Sequence, residues 1–368
     1  MGIESKKNEN LHEGLIKIKG KDGFNKGCLQ GIGIFVENGE DVITLLKTNN
    51  NYENLGIYTS EEINTDDFTN LILSWNCKTP GDSYIEVFAR AYIVDRNKKI
   101  GIWSEYLSWG IWGTSVKRSS SNLGCEMAKV CTDVFEVSDK ENKVAKKLQI
   151  KVKLCSAGLN VTPSISQLTA TFIDIVKSKE VIHNIVNEKY YEDIIETPCF
   201  SQYEREKSIA SRICSPTSLT MVLNRMGENL IVEEVAWNCY DYKYEGFGNW
   251  AFNVAFAGSL GYEAYIEYGS ITALQRELFK GYPVIVSVKY TNDIKNKKYP
   301  YLENSTLTTS GHLIVVCGMS SDMNGKRYVV VNDPAGKNNK SVRRKYKLEE
   351  FLEAWNKSYN AMYVVNKK

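Results

Sequence analysis

The hydrophobic period of this chain changes once, near Thr197-Pro198, and that change limits the folds open to it. Before it, segments 68–77 (FTNLILSWNC), 84–94 (YIEVFARAYIV), 148–154 (LQIKVKL) and 165–176 (ISQLTATFIDIV) are rich in β-branched and aromatic residues. Leu148, Ile150, Val152 and Leu154 alternate with Gln149, Lys151 and Lys153, the period-two pattern of a half-buried strand. Turn residues such as Thr79-Pro80-Gly81-Asp82 separate the segments, which predicts an antiparallel β-sandwich. After Pro198, helical patterns fill about 216–280 and strands follow over about 283–365, which predicts an α+β domain. The expected division is a tail at 1–19, a β-sandwich domain at 20–180, a charged surface linker at 181–196 and an α+β domain at 197–368.

Composition narrows the partners. With 46 basic and 44 acidic residues the formal charge is +2, which argues against nucleic acid or an anionic membrane as the main partner. No apolar run reaches the roughly 18 residues of a spanning helix. The N-terminal MGIESKKNEN lacks the apolar region of a signal peptide, and nine scattered cysteines is an odd count. Together these predict free thiols in a reducing, cytoplasmic setting. Trimming of an export signal would leave the same N-terminus in a secreted or cell-surface protein.

The chemistry concentrates in RICSPTSLTMVL, residues 212–223. Pro216 suits a first helical position and Ser215 an N-cap, while Leu219, Val222, Leu223 and Met226 share one helix face and Gly227 ends it. Cys214 then sits at a helix N-terminus, where the dipole and free N–H groups favour a thiolate. A thiolate nucleophile needs a histidine. His12 lies in the tail and His183 in the linker, so His312 is the one histidine inside the second domain.

The strand 313–319 that follows His312 pairs through an Asn324-Gly325 hairpin with 327–332. A loop at 320–326 pairs 319 with 327 and sets 312 opposite about 334. His312 then falls beside Asp333, a carboxylate able to orient the imidazole, with Asn332 as the alternative. The backbone N–H of Cys214 and the side chain of Gln202 are the candidate oxyanion donors.

Other chemistries lack their signatures. GIGIF (31–35) is not a phosphate loop, CEMAKVC (125–131) lacks zinc-finger spacing, and no metal or cofactor is expected. Cys155 and Cys317 read as core thiols. The aromatic run GIWSEYLSWGIWG (101–113) reads as sandwich core, with a carbohydrate- or peptide-binding platform as the alternative.

CSPTSLTMVL, GNWAFN (248–253), GHLIVV and VNDPA together resemble the bacterial double-glycine-leader (bacteriocin-processing) peptidase-like family of the papain-like cysteine peptidase clan. YTSEEI, SWNCKTPGDSYIEVFARAY and WSEYLSWGIWG resemble the β-rich domain that precedes it in some bacterial proteins. The resemblance implies a papain-like fold, with helices packed on an antiparallel sheet and a cleft between them. It makes Cys214 the nucleophile, His312 the general base, Asp333 the orienting residue and Gln202 the oxyanion donor. Trp250, Asn249 and Ser215 are the candidates to line the cleft. Here Cys-Ser replaces the family's usual Cys-Gly, and Gln202 lies twelve residues before Cys214.

The expected activity is thiol-dependent cleavage of peptide or related amide bonds through an acyl-enzyme, with a peptide or protein as substrate. An amine acceptor in place of water would make the chain an acyltransferase. A scaffold without catalysis, binding a glycan, cell wall or peptide through the β-domain, is the reading from a different class.

Overall fold

The computed structural model describes residues 6–7, 13–98, 100–158, 160–180 and 192–368. They form two compact units, the first from Met1–Val181 with Tyr240–Ile266 and the second from Ile182–Cys239 with Glu267–Lys368.

The first unit is built on two antiparallel sheets. In one, β1 (Glu13–Lys19) and β2 (Asn70–Lys78) flank β5 (Ser164–Ile173), with Leu15 opposite Thr171 and Trp75 opposite Leu168. In the other, β3 (Tyr84–Asp95) pairs with β4 (Lys143–Cys155), Ile85 opposite Leu154 and Ala91 opposite Leu148. On β4, Leu148, Ile150, Val152 and Leu154 are buried while Gln149, Lys151 and Lys153 are half-buried, as the period-two pattern requires. Trp109 and Trp112 of the aromatic run are interior; Trp109 stacks on Phe135 and donates from Nε1 to the Asp133 carbonyl at 2.8 Å. They fill core, and neither offers a face to a ligand.

Three expectations are corrected. Residues 13–19, expected in a tail, form β1, because Ile16 and Ile18 alternate with Lys17 and Lys19 and bury against β5. Residues 240–266, expected in the second domain, build into the first unit. The helix Trp250–Ser259 packs there against β2, with Phe252 edge-on to Trp75, and Asn76 hydrogen-bonds both the carbonyl and the N–H of Ala264. The linker expected at 181–196 lies outside the described residues as far as 191, together with His12 and His183. Its far end is not a surface loop. Ile195 is buried and donates to the Cys317 carbonyl, while Ile194 bridges to Gly318. Gly318 permits this approach: a Cβ there would lie 2.0 Å from the Asp193 carbonyl oxygen.

The second unit sets α1 (Cys214–Arg225), α2 (Val232–Cys239) and α3 (Ile271–Phe279) with an antiparallel sheet. Five of its six strands, β6 (Val284–Tyr290), β7 (Thr309–Ser321), β8 (Arg327–Asn332), β9 (Arg343–Lys347) and β10 (Ala361–Asn366), run in the order β10-β6-β7-β8-β9. A further helix, α4 (Leu348–Asn356), joins the last two strands and was not expected from the sequence. Residues 215–223 of α1 are all buried, so this helix is central rather than merely apolar on one face. Ser218 Oγ donates to the Leu313 carbonyl at 3.1 Å and ties α1 to β7. No helix among the described residues is long and apolar enough to cross a membrane.

The β7–β8 hairpin differs from the expected register. Ser321 pairs with Arg327, and Met319 therefore lies opposite Val329 rather than 327. The Asp322 side chain accepts from the Asn324 and Lys326 N–H groups, which closes the loop over two fewer residues. A bulge between Val316 and Gly318 then shifts the pairing by one, so that Val315 faces Asn332.

Candidate active site

Cys214 is the first residue of α1, with Ile213 as an N-cap that makes no side-chain bond. The expected cap, Ser215, lies inside the helix and is fully buried, its hydroxyl 3.0 Å from Tyr363 Oη. Cys214 itself takes up the helical backbone, which displaces the cap by two residues and puts the sulfur directly on the first turn. The first N–H groups of a helix have no intrahelical acceptor and point toward this end.

His312 arrives from β7 and Asp333 from the end of β8. His312 Nε2 lies 2.7 Å from Asp333 Oδ1, and both side chains are buried. The His312 ring acts on Cys214 electrostatically and, with Nε2 taken by Asp333, Nδ1 is the nitrogen left for the sulfur. Although the register differs from the expected one, the bulge returns β7 and β8 to an alignment in which histidine and aspartate meet.

The electrostatics follow from this chain of contacts. Burial pushes the Cys214 thiol up, but its hydrogen bond to His312, the charge on that ring and the N–H groups of Leu313 and Ser215 outweigh burial and hold it below its ordinary value. Burial opposes a charged His312, yet the Asp333 charge and hydrogen bond, with those of Cys214, push it up to about 10. Burial acts to raise Asp333, and the His312 charge and hydrogen bond, the Ala335 N–H and the Tyr346 hydroxyl hold it below the usual carboxylate range. All three shifts act toward a thiolate–imidazolium pair beside an ionised carboxylate. All nine cysteines are free, and burial is the largest cause pushing Cys77 and Cys317 upward, which for Cys317 is as expected of a core thiol.

The other candidates separate. Asn332 does not reach His312: its Nδ2 donates to the Thr197 and Pro198 carbonyls at 3.2 and 2.9 Å, and its Oδ1 accepts from Arg343. Gln202 is buried in a short turn whose N–H binds the Pro334 carbonyl, next to Asp333. Its Nε2 gives one hydrogen to the Ala210 carbonyl at 2.9 Å, which leaves the second N–H, while Oε1 is buried with no partner among the described residues. Asn249 and Trp250 belong to the first unit, where Asn249 caps the helix Trp250–Ser259 and donates to Asp241, and the Trp250 N–H donates to Asp133. Neither Asn249 nor the buried Ser215 presents a free side chain for a cleft.

Sequence reasoning missed the tyrosines. Tyr346 Oη lies 2.8 Å and Tyr290 Oη 3.4 Å from Asp333 Oδ2. A tyrosine in a strand carries no local signal of a carboxylate partner, and only the sheet order reveals one.

Residues 194–363 match the Peptidase_C39 like family, and residues 24–172 match the Peptidase C39 N-terminal domain. Residues 194–363 are thus similar to a family of cysteine peptidases, and the region ahead of them is similar to an N-terminal domain of such peptidases. Two similar solved structures are a double glycine motif protease from an AMS/PCAT transporter in complex with the leader peptide, and the peptidase domain of Streptococcus ComA, a bifunctional ABC transporter involved in quorum sensing. The first is 19% identical, covers 49% of this chain and 100% of that chain, and has a TM-score of 0.30. The second is 22% identical, covers 43% and 93%, and has the same TM-score of 0.30. No curated protein sequence matches the chain.

Proposed function

We propose that the chain is a thiol-dependent hydrolase that cleaves peptide or related amide bonds through Cys214, His312 and Asp333. The observation that carries this reading is the 2.7 Å contact between the His312 ring and the buried Asp333 carboxylate, with the helix-start Cys214 lowered by that same ring. The similarity of residues 194–363 to a peptidase family supports a peptide or protein as the substrate.

In the first half-reaction the Cys214 thiolate attacks the carbonyl carbon of the scissile amide, and the carbonyl electron pair moves to oxygen. The Cys214 backbone N–H and the second Nε2 hydrogen of Gln202 are the donors for that oxyanion. His312 then passes its Nδ1 proton to the leaving nitrogen, the C–N bond breaks and a thioester remains. A water molecule gives a proton to Nδ1 as it attacks the thioester. The acid product leaves, and the thiolate–imidazolium pair is restored. Asp333 holds Nε2–H throughout, so Nδ1 is always the nitrogen presented to the sulfur and to substrate.

The test is alkylation with iodoacetamide at pH 6, with each cysteine quantified by peptide mass spectrometry. Cys214 should react faster than the other eight, and His312→Ala should abolish that preference. Equal reaction of all nine, unchanged by His312→Ala, rules out the activated thiol.

A further inference from the structure

We propose that Tyr346, with Tyr290 in support, is a positioning residue that pins the Asp333 carboxylate so that Oδ1 faces His312; the inference rests on the triad reading above. Asp333 is fully buried and receives four donors. On Oδ1 they are His312 Nε2 at 2.7 Å and the Ala335 N–H at 2.9 Å; on Oδ2 they are Tyr346 Oη at 2.8 Å and Tyr290 Oη at 3.4 Å. The backbone at Asp333 is fixed as well, because its N–H donates to the Val342 carbonyl at 2.9 Å.

The two hydroxyls come from opposite sides of the β7–β8 hairpin. Tyr346 lies on β9, opposite Val329 of β8, and Tyr290 ends β6, on the far side of β7. The Tyr290 ring also stands edge-on to the His312 ring, centroids 6.2 Å apart at 81°. Both tyrosines are fully buried. Phenylalanine would fill the same space, so packing does not account for the hydroxyls, and a buried hydroxyl must find a partner to offset its lost hydration. Here the shared partner is the one oxygen of Asp333 that does not hold His312. Donors on Oδ2 stop the carboxylate from turning about its Cβ–Cγ bond, and they stabilise its charge where no solvent can.

The direction of the effect is set by which state the hydroxyls bind. They donate to the ionised carboxylate, so removing one makes Asp333 easier to protonate. A protonated Asp333 no longer stabilises the imidazolium, and the thiolate that depends on it is lost at a higher pH. Loss of one hydrogen bond to a charged group corresponds to about one pH unit.

The experiment follows the pH dependence of Cys214 alkylation by iodoacetamide in the full chain, alongside the thermal midpoint, and needs no substrate. In Tyr346→Phe the acid inflection should move up by about one unit. In the Asp333→Asn background the same change should add nothing, because the effect runs through the carboxylate. An unmoved inflection with a lowered midpoint would make Tyr346 purely structural, and an equal shift in the Asp333→Asn background would place its action elsewhere; either overturns the proposal. Should Tyr346→Phe fail to fold, Tyr290→Phe should give a smaller shift in the same direction, and no shift overturns the proposal. If wild-type Cys214 alkylates no faster than the other cysteines, the triad reading itself falls, an outcome distinct from an unmoved Tyr346→Phe.

Discussion

Asp333 Oδ1 accepts from His312 Nε2 at 2.7 Å, although the two residues stand 21 positions apart, His312 on β7 and Asp333 just past the end of β8. That contact fixes which ring nitrogen is left for Cys214, and it sets the direction of each titration at the site.

Removal of the base should be severe. His312→Ala should lower kcat/KM on a cleaved peptide by roughly 10²–10⁴-fold, the range for a positioned general acid–base. Circular dichroism should stay that of the folded chain.

The pH profile of kcat/KM should be a wide bell. Cys214 titrates below its ordinary value, so the acid limb lies below that of an unassisted thiol. His312 is pushed up to about 10, and above that pH it no longer carries the proton needed by the leaving nitrogen. The alkaline limb should therefore fall near pH 10 and not near 6.5, where an unassisted histidine would put it. Steady-state rates across pH 4–11 decide this.

Gln202→Ala should separate turnover from thiol activation. If Nε2 stabilises the oxyanion, kcat should drop by roughly 10²–10³-fold. Alkylation of Cys214 at pH 6 should be nearly unchanged, since no oxyanion forms in that reaction. A parallel loss of both would assign Gln202 to holding the Cys214 loop instead.

Asn332→Ala should behave unlike any change at Asp333. It strands the Pro198 carbonyl and the Arg343 Nε donor and leaves the Thr197 carbonyl to Arg343 Nη2 alone, which should cost about 1–3 kcal/mol of stability. The acid inflection of Cys214 alkylation should not move. Urea denaturation and the alkylation profile test the two halves separately.

Gly258→Ala should weaken the first unit. A Cβ at Gly258 would fall 2.7 Å from Asn76 Nδ2 and 2.9 Å from its Cα, so the helix Trp250–Ser259 could not keep its seat on β2. Overpacking of this kind costs about 1–3 kcal/mol, readable as a lower denaturation midpoint.

Much of this was legible in the sequence because it rests on local periodicity. Alternation on β4, the helical spacing after Cys214 and the Asn-Gly hairpin are each encoded in a short local stretch. From such local signals the candidate residues Cys214, His312 and Asp333 could be named, although they stand far apart in the chain. The readings that failed were local as well: the Ser215 cap gave way because Cys214 already has helical backbone, and the hairpin loop is shorter because the Asp322 side chain closes it.

What only the tertiary structure decided are relationships that no local pattern carries. The placement of residues 240–266 with the first unit depends on Asp133, Asp241, Asn249 and Asn76, each paired with a partner at least eight positions away in the chain. Strand order brings Tyr346 and Tyr290 to one oxygen of Asp333 and leaves Asn332 to Thr197 and Pro198. A strand's sequence specifies which faces are apolar, through its period of two, but its neighbours are chosen by how the whole sheet buries those faces. The amino-acid sequence by itself determined which residues could do thiol chemistry. The sheet decided which of them touch, because burial makes each polar group take the partner that packing sets beside it.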